Sequence, residues 1–188
     1  TISWYVNTGV VGTYLLEYFY IDSNNNISIP ATRTVIIQDT IAPIVTLNGS
    51  TWVIIAQWSS YTDSGAMWSD NADWTGVVIA SGSINTTIVG SYLLTYQYTD
   101  LAGNISDIIT RTVNVTDQTA PTITLIGSWG EILVGSWYID QWALWIDNVD
   151  GSWVVISFTW VVDTNTTGSY TLYYRITDAA GNISTMIT

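Results

Sequence analysis

One spacing organises this 188-residue chain: segments recur 78 residues apart. Gly12-Thr13-Tyr14 returns as Gly90-Ser91-Tyr92 and as Gly168-Ser169-Tyr170. Asp22-Ser23-Asn24-Asn25-Asn26-Ile27-Ser28 returns as Asp100-Leu101-Ala102-Gly103-Asn104-Ile105-Ser106 and as Asp178-Ala179-Ala180-Gly181-Asn182-Ile183-Ser184. Thr32-Arg33-Thr34-Val35 matches Thr110-Arg111-Thr112-Val113, and Ala42-Pro43 matches Ala120-Pro121. A solenoid coil repeats every ~20–45 residues. The longer period suits a small domain copied in tandem.

Within one period the pattern is that of strands. Tyr92, Leu94, Tyr96 and Tyr98 alternate with Leu93, Thr95 and Gln97, the two-residue period of a half-buried strand. Asp100–Asn104 supplies a turn, and Ile108–Val115 a second β-branched strand, so the pair predicts a hairpin. Pro43–Leu47 and Val53–Ile55 are further short strands around Asn-Gly-Ser. No window carries a sustained helical stripe, so the chain is expected to be all-β, an antiparallel sandwich with helix content near zero. A Tyr two residues before a core position marks the tyrosine corner of immunoglobulin-like sandwiches. Tyr14/Leu16, Tyr92/Leu94 and Tyr170/Leu172 repeat that spacing, with Leu where a disulfide would sit.

The ordered set Asp117-Gln118-Thr119-Ala120-Pro121, Asp147-Asn148-Val149-Asp150-Gly151, Gly168-Ser169-Tyr170 and Thr177-Asp178-Ala179-Ala180-Gly181-Asn182 resembles the bacterial immunoglobulin-like tandem repeats of secreted and surface proteins. Within these it is most similar to the crystal-toxin-type family. The resemblance spans essentially the whole chain. It implies tandem Ig-like sandwiches, an extracellular or cell-surface location and a stalk or spacer role, with no reaction attached. The phase of the repeat divides the chain into the C-terminal half of a repeat (1–41), a complete repeat (42–118) and a repeat lacking its last strand (119–188). Such a chain is a slice of a longer array, the simpler reading, or takes its missing strands from neighbouring copies as a filament would.

Composition removes most chemistry. There is no His and no Cys, which excludes Ser-His-Asp and Cys-His sites, His-ligated zinc, disulfides and iron–sulfur clusters. All three cations are Arg, so no Lys is present for a Schiff base, a P-loop or an isopeptide crosslink. A net charge of -12 repels nucleic acid and anionic membrane surfaces and favours cations. No apolar run approaches the ~20 residues of a membrane span, and none reads as a signal peptide. The Asn-x-Ser/Thr triplets, such as Asn104-Ile105-Ser106, have the form of glycosylation acceptors but arise by chance in a chain this rich in Ser, Thr and Asn.

The 11 Trp are anomalous beside 2 Phe. Six align with glycine in a sister repeat, allowing one-residue offsets in loops. Trp4 and Trp160 fall opposite Gly82, Trp58 opposite Gly135, Trp142 opposite Gly65, Trp74 opposite Gly151, and Trp153 opposite Gly76. A position that needs positive φ or close backbone approach does not turn into Trp cheaply. Bacterial codes that read UGA as glycine would give this pattern if UGA were rendered as Trp. Trp68 and Trp145 align with each other and are expected in the core, while Trp52, Trp129 and Trp137 stay undecided. The rival use, aromatic platforms for sugars, would need Trp recurring at equivalent sites.

Asp makes up 13 of the 15 acids and clusters at strand ends. The turn at Asp100 should face the linker at Asp39, and that at Asp178 should face Asp117. The Asp70/Asp73 and Asp147/Asp150 loops add carboxylates if they reach the same end. These eight residues form candidate calcium sites where repeats join, since calcium takes 6–8 hard oxygen ligands. The alternative is that Asp and Asn simply make Asx turns. An enzyme here would have carboxylates alone, replicated in every repeat, so no catalytic residue is expected. The sequence thus predicts a non-catalytic structural module: a rigid spacer, adhesin stalk or filament subunit. Its partners would be neighbouring repeats or copies of itself. The alternative is an adhesion module whose loops hold a host or surface glycan or protein.

Overall fold

The computed structural model describes residues 6–128, 130–155 and 162–188. Every regular element among them is a strand. β1 (Gly12–Tyr18) and β2 (Ala31–Ile37) form an antiparallel pair, with Leu16 opposite Arg33. Then come β3 (Ile44–Leu47), β4 (Trp52–Ala56), β5 (Ala66–Asp70), β6 (Trp74–Val78), β7 (Gly90–Tyr96) and β8 (Ile109–Thr116). They make two sheets of order β3-β5-β6 and β4-β8-β7. The first of these is rebuilt one period later as β9 (Thr122–Leu125), β10 (Ala143–Asp147) and β11 (Gly151–Val155), in the order β11-β10-β9.

Backbone proximity divides the chain into two compact units. The first comprises Thr1–Val53, Tyr61–Asn85 and Ser91–Val113, and the second Ile54–Ser60, Thr86–Gly90 and Asn114–Thr188. The first buries Val45, Ala66, Trp68, Val78, Leu94 and Tyr96 as one core. The alternation along β7 explains the choice: Leu94 and Tyr96 point inward while Leu93 is left in solvent. Trp68 stacks on Tyr98 with ring centroids 4.0 Å apart. The second unit buries Ala143, Trp145, Val155 and Tyr174, the counterparts of Ala66, Trp68, Val78 and Tyr96. Trp68 and Trp145 are therefore core residues, as their alignment predicts, and are closed to a sugar ring.

Two of the three corner tyrosines form the expected bond. Tyr14 Oη donates to the Val10 carbonyl at 2.9 Å, and Tyr170 Oη to the Thr166 carbonyl at 3.1 Å, each four residues upstream.

At three of the anomalous tryptophans the backbone is that of glycine. Among the described residues four non-Gly positions have positive φ, and three of them are Trp58 (66°), Trp74 (79°) and Trp142 (68°). Their aligned partners Gly135, Gly151 and Gly65 lie at 80°, 81° and 74°. The surrounding bonds match too. Trp58 N–H donates to the Thr86 carbonyl at 2.7 Å, as Gly135 N–H does to Thr164. Asn48 N–H reaches the Gly65 carbonyl at 3.0 Å, and Ile126 N–H that of Trp142 at 3.1 Å. Asp70 pairs with Trp74 in register, as Asp147 does with Gly151. The fourth such residue, Asn25, belongs to a type that tolerates this region. Trp4, Trp129 and Trp160 lie outside the described residues.

Candidate functional site

The Asp-x-x-x-Asn turn is built the same way three times. Asp100 Oδ1 accepts from Asn104 N–H at 2.7 Å and Oδ2 from Asn104 Nδ2 at 2.8 Å. Asp178 does the same with Asn182 at 2.7 and 2.8 Å, and Asp22 with Asn26 at 2.8 and 2.8 Å. Gly103 and Gly181 close the turn at φ 93°. Burial pushes the Asp100 and Asp178 carboxyls up, but the side-chain and backbone donors of Asn104 and Asn182 outweigh it and hold both below the usual carboxylate range.

Each of the last two turns meets two further carboxylates. Asp39, Asp70 and Asp100 place one oxygen apiece within 4.8 Å of one another, and so do Asp117, Asp147 and Asp178. The first group lies wholly in the first unit and the second wholly in the second. Local hydrogen bonding fixes how these side chains point. Asp147 Oδ1 accepts from Val149 and Asp150 N–H at 2.8 and 3.0 Å, and Asp117 Oδ1 from Thr119 N–H at 3.0 Å. Asp70 Oδ1 and Asp39 Oδ1 take the matching donors from Ala72, Asp73 and Ile41. In all four the other oxygen, Oδ2, is buried and has no hydrogen-bond partner.

Asp73 and Asp150 take another place. Asp73 Oδ2 accepts from Leu101 N–H at 2.6 Å, and Asp150 Oδ2 from Ala179 N–H at 2.6 Å. They tie the β5–β6 and β10–β11 loops to the Asp-x-x-x-Asn turns and stand outside the three-carboxylate groups. The eight sequence candidates thus separate into two triads and two struts.

The three-stranded sheet with its buried Trp and the aspartate triad occur twice, and the family comparison follows the same division. The family described as "Bacterial surface protein, Ig-like domain" matches residues 45–115 and again 127–187. The chain belongs to this family. Among curated proteins none matches it. Among solved structures it is similar to the lipoprotein BT2262 from Bacteroides thetaiotaomicron, at 23% identity and a TM-score of 0.36. That likeness covers 42% of this chain and 39% of the lipoprotein chain, so the chain spans about two fifths of its relative's length.

In the first bacterial surface Ig-like repeat, sequence reasoning missed a buried clamp. Arg111 is fully buried on β8. Its Nε donates to the Ser50 carbonyl at 2.9 Å, Nη1 to Tyr96 Oη at 3.1 Å and to Asp63, and Nη2 to the Asn48 carbonyl. Asp63 also accepts from Tyr96 Oη at 2.8 Å and from Gly65 N–H at 2.9 Å. Burial raises the Tyr96 phenol well above its ordinary value, and the Asp63 charge adds to the rise. In the second surface Ig-like repeat Tyr174 Oη donates to Asp140 at 2.7 Å in the same way. The recurrence of Thr-Arg-Thr at Arg33 and Arg111 was the available signal.

Proposed function

We propose that the chain is a non-catalytic structural module of a bacterial surface protein, a spacer or stalk segment that holds other parts of that protein away from the cell. The observation that carries this reading is duplication: the same core and the same acidic turns are built twice with the same bonds. Catalytic centres are not ordinarily copied along a chain, whereas load-bearing units are. Several of the carboxylates serve structure directly. Asp100 and Asp178 hold turns, Asp73 and Asp150 brace loops, and Asp63 neutralises Arg111. The working segments are 1–41, 42–118 and 119–188, and the partners are neighbouring Ig-like modules of the same surface protein. Stretching single molecules of the chain tests the reading, because a spacer unfolds module by module under load.

A further inference from the structure

We propose that each aspartate triad binds one calcium ion: Asp117, Asp147 and Asp178 in the second unit, and Asp39, Asp70 and Asp100 in the first. This goes beyond the spacer reading and does not depend on it. Proximity of carboxylates alone would not carry the assignment, because acidic turns are common. The second observation is the set of orphaned oxygens. Asp117 and Asp147 are each only 7% exposed, and Oδ2 of both is buried without a donor. Buried charges are paired or coordinate metals. None of the three arginines forms an ion pair with a triad among the described residues.

The backbone leaves these oxygens free in a consistent way. Turn N–H groups take Oδ1 of the linker aspartate and of the loop aspartate, and the same two Oδ2 atoms stay bare in the first triad, at Asp39 and Asp70. The turns at the linker and loop aspartates use only Oδ1, so turn formation there does not account for Oδ2.

The donor chemistry selects the ion. Every available ligand is a hard oxygen, in a chain with no His and no Cys. Asn71 Nδ2 is 3.2 Å from Asp39 Oδ1, and turning that carboxamide over presents a neutral oxygen to the first triad instead. Calcium accepts such an irregular mixed set, whereas magnesium demands near-octahedral geometry and keeps its waters. A depression lined by Thr116, Asp117, Asp150 and Ala179 borders the second triad.

The test is calorimetric titration of the chelator-stripped full chain with calcium chloride, joined to thermal melts in calcium and in EDTA. Two ions per chain and a melting temperature raised by calcium are expected. Asp147→Asn, which keeps size and turn acceptors, should leave one ion, and Asp70→Asn added to it should leave none. The unmodified chain decides the matter even if a variant fails to fold. No binding heat together with equal melting in calcium and EDTA would overturn the proposal, as would two ions retained in Asp147→Asn, or magnesium bound as tightly as calcium. Each of these outcomes leaves the spacer reading standing.

The left-handed tryptophans independently carry a second inference. We infer that Trp58, Trp74, Trp142 and Trp153 are glycine in the protein its own cell makes, from UGA codons read as glycine. Three of them share φ and backbone bonding with a sister glycine. The fourth, Trp153, pairs with Trp145 as Gly76 pairs with Trp68, and a Cβ at Gly76 would lie 2.6 Å from the Trp68 ring. Trp58, Trp74 and Trp153 are 66%, 82% and 69% exposed, so little packing rewards the indole. Peptide masses of the protein from its native cell, set beside the codons, decide the point. UGA with glycine masses is expected, and UGG with tryptophan masses would overturn it.

Discussion

Replacing Arg111 by methionine lowers the stability of the first unit by about 3–5 kcal/mol, read as a shifted midpoint in urea unfolding. Removing one partner of a buried ion pair has that magnitude because the other charge is left without compensation. Here the loss also strips donors from the Ser50 and Asn48 carbonyls, which the guanidinium holds in place. The result should fall toward the lower end of the range, because Asp63 is 21% exposed and keeps Tyr96 and Gly65 N–H. Exchanging Asp63 for leucine in the same chain should recover part of the loss, since an apolar pair of similar volume avoids the desolvation cost. The acid limb of stability changes too. Burial pushes the Asp63 carboxyl up from its ordinary 3.8, but Tyr96, Arg111, Tyr61 and Gly65 N–H together hold it lower. The folded chain therefore gives up this contribution only as pH falls below 3.8 and through the depressed folded value. Arg111→Met should flatten that fall.

The triple exchange Trp58→Gly, Trp74→Gly and Trp142→Gly stabilises the chain by about 2 kcal/mol in sum. A left-handed backbone costs an L-residue roughly 1–2 kcal/mol at each site. Glycine relieves that but adds unfolded-state entropy worth about 0.4–1 kcal/mol, which leaves a net gain of about 0.5–1 kcal/mol per position. Trp142, only 47% exposed, gives up the most packing and should contribute least. The reverse substitution Gly135→Trp should destabilise, because that residue sits at φ 80°. Thermal or urea unfolding of the unmodified chain, the triple variant and Gly135→Trp checks both directions. An unchanged midpoint in the triple variant would mean that the indoles make compensating contacts.

Much of this architecture is legible because the chain writes it more than once. The alternation from Tyr92 to Tyr98 foretells β7. The recurrent Gly-x-Tyr foretells the corner bonds at Tyr14 and Tyr170, and the aligned Trp68 and Trp145 foretell two cores. The juxtaposition of Asp39 with Asp100, and of Asp117 with Asp178, follows from knowing which end of a sandwich carries the turn. The Arg111–Asp63 clamp was hidden for the opposite reason. It joins residues 48 apart, and Asp63 belongs to no recognisable motif. The separation of Asp70 and Asp147 from Asp73 and Asp150 was hidden as well. Which carboxylate turns inward depends on the N–H groups of the loop, and residue type does not encode that.

The proposed spacer role rests on the duplicated repeat, and pulling on single molecules of the chain tests it most directly. Residues 45–115 and 127–187, at about 3.6 Å per residue, should each yield one cooperative unfolding event that lengthens the tether by roughly 220–260 Å before any folded span is subtracted. Both events should return after relaxation. A tether that lengthens smoothly, with no discrete event from either repeat, would contradict a load-bearing role.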